Sequence, residues 1–211
     1  MSLKEREKEF KKQVILEAAS RLFSSRPFEA VTVDEIAREV GCGKGTIYLY
    51  FENKDHLLTY LISQELGNLC EDIEEQCLDN PDLVSAISNY LGLQFRFFRG
   101  YNQILSSWVR RRLQDNVKEE WMGEIHDTLK RKMDMAVSVF ERGKREKKII
   151  PIDSFELAGF VETIFQDATF PFVDERSWHY DPERITSLMK LILTQGIMLN
   201  KASPEPETEI I

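Results

Sequence analysis

Apolar residues recur along this chain at three- and four-residue spacing, and no stretch alternates apolar with polar long enough to demand a sheet, so the pattern predicts an all-α protein. The first helix is predicted roughly from Arg6 to Ser24, with Phe10, Val14, Ile15, Ala18, Leu22 and Phe23 on one face, and Arg26, Pro27 and Phe28 end it. Thr32 and Glu35 then form the Thr-x-x-Glu pattern of a capping box, with Val31 and Ile36 placed as the two partners of a hydrophobic staple. The helix they open buries Val33, Ile36, Ala37 and Val40 and stops at Gly41, where a left-handed residue is wanted. Gly43 or Lys44 opens another short helix that ends near Phe51.

After Glu52 and Asn53 a longer helix is predicted from Lys54 or Asp55, carrying Leu57, Leu58, Leu61, Ile62, Leu66 and Leu69, and stopping before Asn80-Pro81. Pro81 suits the first turn of the next helix, which is predicted to run to about Gly100; a further helix holds Ile104, Leu105, Trp108, Val109 and Leu113. Residues 117–147 form a long amphipathic segment, Ile150-Pro151 breaks the chain, and an apolar helix follows from Ser154 to about Ala168. Asp181-Pro182 opens the last helix, to roughly Asn200, and the tail SPEPETEII is expected to be disordered. The expected domains are residues 1–53, residues 54–202 and the acidic tail 203–211.

Composition narrows the class. With 211 residues and 42% hydrophobic side chains the chain can bury a core without disulfides or metals, and no apolar run approaches the ~18 residues of a membrane span. The opening MSLKEREKEFKKQ is charged throughout, unlike a secretory signal, so the expected location is the cytoplasm. Cys42, Cys70 and Cys77 fit neither a metal knuckle nor a disulfide framework; they read as reduced structural thiols, with a thiol sensor at Cys42 as the lesser alternative. A net charge of −8 argues against a nucleic-acid partner until its distribution is considered. Ten Lys/Arg balance ten Asp/Glu in residues 1–60, and the remainder carries the whole excess of acid.

Two short helices separated by Gly41 match a helix-turn-helix, whose second helix enters the DNA major groove. The segment GKGTIYLYFENK, residues 43–54, strengthens the match by placing small residues, a base, a hydroxyl and two tyrosines where helix amides would face phosphates. Ile47 and Phe51, four apart, supply the buried face. Lys44, Gly45, Thr46, Tyr48 and Tyr50 are left for the exposed faces, with Gly45 permitting close backbone approach and Lys54 placed to reach a phosphate from the side.

In its first helix, in TVDEIAREVG and in the GxxKGTxYxYFxxKxxL segment, the chain resembles the TetR-type transcriptional regulators over about its first 60 residues. The resemblance implies that Thr32 caps the second helix and touches phosphate, and that Lys44, Gly45, Thr46, Tyr48, Tyr50 and Lys54 line the DNA. Ile36, Ala37, Ile47, Phe51 and Leu57 would be scaffold. Two positions depart from the pattern: Gly43 stands where relatives commonly carry a serine cap, and Leu49 where many have a polar or aromatic residue facing DNA. Gly43 still caps with little loss, whereas Leu49 either offers apolar contact, as to a thymine methyl, or packs inward.

The resemblance also implies a homodimer reading palindromic half-sites about one DNA turn apart, joined through its last two helices. A compatible seam sets Leu157, Phe160, Val161, Ile164 and Phe165 against Leu188, Leu191, Ile192, Gln195 and Leu199; the alternative is burial of these stripes inside one subunit. The family's middle helices enclose an effector pocket. The candidates to line it are Phe95, Phe98, Tyr101, Trp108, Trp121 and Phe165, which would make the effector small and largely apolar or amphipathic. Arg96, Arg99 and Arg110-Arg111-Arg112 either grip an anionic head group or form a solvated face pairing with Asp115, Glu119 and Glu120.

No cofactor or metal is expected. His56, His126 and His179 lie on separate elements without ligand partners at metal spacing, and no nucleophile elbow or phosphate-cradling loop is present, so no enzyme is expected. Three readings stand in order: a ligand-released dimeric repressor, the same architecture acting as an activator, and a helical protein-interaction module that has kept the fold without DNA binding.

Overall fold

Local capping boxes set the starts of the first two α-helices, and the box at the second is the one the residue pattern implies. The computed structural model describes residues 2–169, with side chains through Ile164, and positions 187, 191, 196 and 197 beyond them. Helix α1 (Leu3–Ser25) starts one turn earlier than predicted because Ser2 and Glu5 make a reciprocal capping box of their own. Arg26 turns extended ahead of Pro27, and a single 3-10 turn at Phe28–Ala30 leads to α2 (Val33–Val40).

The capping box at α2 is formed as predicted: the Glu35 N–H donates to Thr32 Oγ1 at 3.2 Å, and the Thr32 N–H donates to Glu35 Oε2 at 2.8 Å. Both staple residues, Val31 and Ile36, are fully buried. Gly41 ends the helix at φ +71°, a left-handed conformation that suits glycine, and its N–H returns to Ala37 and Arg38 carbonyls. Two residues later α3 (Lys44–Tyr48) begins.

Helix α4 (Lys54–Ile73) runs into a wider turn at Glu74–Leu78, and α5 then spans Leu83–Leu113 without interruption. The break predicted at Gly100 is absent. A C-terminal glycine cap requires positive φ, and Gly41 is the one glycine with positive φ among the described residues. Gly100 stays helical at a penalty of about 1 kcal/mol, which the buried Phe97, Phe98, Ile104 and Leu105 on either side of it offset. Pro81 precedes the helix rather than opening it, and Asp82 caps it through the Ser85 N–H at 3.0 Å. The amphipathic segment after residue 117 divides into a 3-10 turn at Glu119–Trp121 and α6 (Gly123–Arg145); α7 (Ser154–Thr169) follows.

The chain forms two compact units. The first comprises residues up to 66 with 101–126, and the second 67–100 with the described residues from 127 on. The unit containing the helix-turn-helix is therefore larger than residues 1–53. In it α2 packs against α1 and α3 over a core of Ile15, Ala19, Phe23, Phe28, Ile36, Ile47, Phe51 and Leu58, with the Phe23 and Phe28 rings 5.2 Å apart.

In the second unit Leu83, Ile87, Leu91, Val139, Phe140, Leu157 and Val161 are buried. Embedded among apolar side chains is a polar quartet: the Lys132 ammonium pairs with Glu162, which also accepts from Tyr90 and Gln94, while Gln94 accepts from Lys132 at 3.2 Å. All four side chains are buried. Burial also raises the pKa of both Cys70 and Cys77, the latter to about 11, so both remain protonated thiols.

Leu157 and Val161 turn into this unit, against the seam expected for them, whereas Phe155 and Phe160 are 63% and 57% exposed on the outer face of α7. Ile164 is half-buried and Leu191 half-exposed. Leu188, Ile192, Gln195 and Leu199, most of the predicted last helix, the acidic tail and the Phe165 side chain lie outside the described residues.

Glu162→Ala strands the buried Lys132 ammonium and is expected to lower the unfolding free energy in urea by about 3–5 kcal/mol, most of which Lys132→Met combined with Glu162→Leu recovers. At the α2 cap, hydrogen bonds from the Thr32 backbone, Arg26 and the Thr32 hydroxyl hold the Glu35 pKa at about 2, against an ordinary 4.5. The folded value lies below the unfolded one, so this stabilisation is complete above pH ~4.5 and is lost as pH falls toward 2. Glu35→Gln is expected to flatten the acid limb of a pH–stability curve in that window; an unchanged limb would assign acid unfolding to other carboxylates.

Candidate nucleic-acid interface

Helix α3 has five residues, and its placement rests on what it buries. Ile47 and Phe51 point into the core of the first unit, each 1% exposed, while the Phe51 N–H closes the turn on the Ile47 carbonyl at 3.0 Å. The Gly43 backbone is extended at the N-terminal cap and contributes no side-chain bond. With one face committed inward, Gly43, Lys44, Gly45, Tyr48 and Leu49 are exposed on the other, flanked by half-buried Thr46 and Tyr50. Leu49, at 79% exposure, does not pack inward.

The charges around this face are engaged with one another. Lys44 Nζ lies 2.8 Å from Asp34 Oδ2, and that carboxylate raises the lysine pKa. Both partners are solvated, so the pair can exchange for a phosphate at little loss. Thr32, expected to touch phosphate, donates its hydroxyl to Glu35 at 3.0 Å and remains exposed. Lys54 differs most from expectation: its ammonium donates to the Phe28 and Val31 carbonyls at 2.7 and 2.8 Å and lies 4.1 Å from the Phe28 ring centre. Burial lowers its pKa, and two of its three donors are occupied, so its first duty is bracing the approach to α2.

A clasp beneath α3 has no signal in the local sequence. The Glu52 carboxylate accepts from Lys118 at 2.5 Å and from the Trp121 indole at 3.4 Å, while the Glu52 N–H donates to His56 Nδ1 at 3.1 Å. An imidazole that accepts at Nδ1 is neutral, in keeping with the burial that lowers its pKa, and its ring stacks on Trp121 at 4.7 Å. Arg111 grips Asp55 with two bonds of 2.5 and 2.9 Å, and Arg112 reaches Glu119 at 2.9 Å. The arginine run thus forms ion pairs, one of them with Glu119 as expected and the bidentate one with Asp55, 56 residues away, which the sequence did not suggest.

The expected effector aromatics divide between the two units. Phe95 and Phe98 belong to the second, half-buried and buried respectively. Tyr101, Trp108 and Trp121 belong to the first, where they bond to Glu65, Thr59 and Glu52. Trp121 also borders a cavity of about 190 Å³ together with His56, Thr59, Tyr60, Ser63, Glu120 and Glu124, whose lining is more polar than the expected pocket. Among the described residues no group of three or more His, Cys, Asp or Glu side chains could hold a metal ion, and no helix is long and apolar enough to cross a membrane.

Residues 15–61 match the family described as bacterial regulatory proteins, tetR family. The chain is 34% identical over 98 residues to the HTH-type transcriptional regulator YerO of Bacillus subtilis (strain 168), a match covering 45% of this chain and 34% of YerO. It is 25% identical over 193 residues to the HTH-type transcriptional regulator YhgD of the same organism, covering 90% of this chain and 98% of that protein. The fold matches the crystal structure of the transcriptional regulator FadR from Bacillus subtilis in complex with stearoyl-CoA, with a TM-score of 0.68 at 20% identity over 88% of this chain and 98% of that one. Residues 15–61 are thus similar in sequence to the tetR family of bacterial regulatory proteins, and the chain shares its fold with a transcriptional regulator.

Proposed function

We propose that this chain is a homodimeric repressor that binds a palindromic DNA operator through α3 and is released from it by a small, largely apolar effector. The observation that carries the reading is the two-sided character of α3: Ile47 and Phe51 are fully buried, while Lys44, Gly45, Tyr48 and Leu49 are bare. A face with a base, a phenol and no competing bulk at Gly45 suits the major groove. Thr32, Gly43, Thr46 and Tyr50 border that face, and Lys54 joins with the one donor it has to spare. Lys44 changes partner from Asp34 to phosphate on docking. Such a regulator works where the DNA is, in the cytoplasm.

The exposed Phe155 and Phe160 on α7 support the dimer, since apolar rings of that size in water favour a covering partner. Phe160, Ile164 and Leu191 would contribute to the contact, with Leu188, Ile192, Gln195 and Leu199 from the final segment. The effector would lie in the second unit near Phe95, Phe98 and Phe165; Tyr101, Trp108 and Trp121 hold polar partners in the first. The acyl-coenzyme A bound by the FadR of similar fold supports an amphipathic ligand. Release is a linkage: the effector shifts the dimer from its operator by no more than its differential affinity for the two conformations.

The test is selection from a random duplex library, with the Lys44→Ala, Tyr48→Ala double variant alongside. The expected result is a two-fold palindrome enriched by the natural protein alone, with affinity falling steeply as salt rises. No enrichment, or the same sites from both proteins, would transfer the reading to a protein-interaction module.

A further inference from the structure

We infer that Leu49 reads sequence, by packing against the C5 methyl of a thymine on the open face it shares with Gly45; the inference rests on the DNA-binding reading above. At 79% exposure Leu49 is the most exposed large apolar side chain among the described residues, yet it sits in the middle of the proposed interface. It lies one helical turn beyond Gly45 and therefore on the same face, opposite Ile47 and Phe51. Gly45 leaves that face open: a Cβ built there meets no atom within 4 Å. That face therefore presents bare backbone at Gly45 and, one turn on, an exposed isobutyl group.

On its other side Leu49 borders an open groove shared with Tyr50 and the α1 residues Glu5, Lys8, Glu9 and Lys12, so nothing in the unit covers it there either. The chemistry selects the occupant. The edges that base pairs present in the major groove are hydrogen-bond donors and acceptors, with one apolar exception, the thymine methyl. A leucine gains nothing from the former and loses water against the latter. Lys44, Thr46 and Tyr48 alongside supply the polar contacts that hold the register.

Deoxyuridine tests this directly, because it removes the methyl and keeps every hydrogen-bonding group of thymine. With the selected duplex as probe, each thymine of one half-site is replaced in turn, and affinity is measured for the natural protein and for Leu49→Ala. The exposure of Leu49 makes that variant safe for folding, which circular dichroism checks. The natural protein is expected to lose about four-fold at one position of the half-site, the value of one buried methyl-sized group. Leu49→Ala is expected to bind more weakly and to become indifferent to deoxyuridine at that position. Tolerance of deoxyuridine everywhere by the natural protein, or undiminished sensitivity in Leu49→Ala, would overturn the assignment while leaving DNA binding intact. Failure to bind any duplex would overturn both.

Discussion

A helix of five residues cannot hold itself together in water, because nucleating the first turn is unfavourable and too few bonds follow to offset it. Everything that α3 presents depends on the burial of Ile47 and Phe51, which anchors one side of the helix in the core of the first unit. The left-handed Gly41 sets where α2 stops, and the Thr32–Glu35 box sets where it starts. With both ends of α2 capped and α3 anchored by its own Ile47 and by Phe51 just past its end, the direction of the exposed face is determined. The clasp of Glu52 with Lys118, Trp121 and His56 then holds the chain just past α3.

Charge plays a smaller part at this face than composition alone would suggest for a DNA-binding head. Residues 1–60 are electrically balanced, and Lys44 and Lys54 are both engaged within the protein, one with a carboxylate and the other with backbone carbonyls. For these two lysines, docking on phosphate as proposed would be an exchange of partners. On the proposed reading, discrimination would fall largely to shape and to the few side chains that reach the bases. An exposed leucine beside a bare glycine would contribute to such discrimination without adding charge.

What could be read from the residues was local. A capping box, a staple, a glycine stop and an i, i+4 apolar pair each depend on neighbours within four or five positions, and all four are present in the structure. The break expected at Gly100 failed for the opposite reason: whether glycine ends a helix depends on its φ, which the packing of Phe97, Phe98, Ile104 and Leu105 decides. The Lys132–Glu162 pair, the Arg111–Asp55 fork and the Lys54 brace join residues 23 to 56 positions apart and leave no spacing to recognise. Leu49 could be read either way in the sequence. Only its exposure, set by the register of Ile47 and Phe51, turns it outward.

On the proposed reading the bare surface around Gly45 meets DNA while taking no part in the fold, and Gly45→Ala separates the two. The added methyl enters open space on a helical backbone, so the unfolding free energy is expected to stay level or to rise by up to about 1 kcal/mol. Affinity for the selected duplex, measured on the same preparation, is expected to fall about ten-fold, the scale of one lost specific contact. A variant as stable as the natural protein that binds the duplex equally well would show that this surface does not meet DNA.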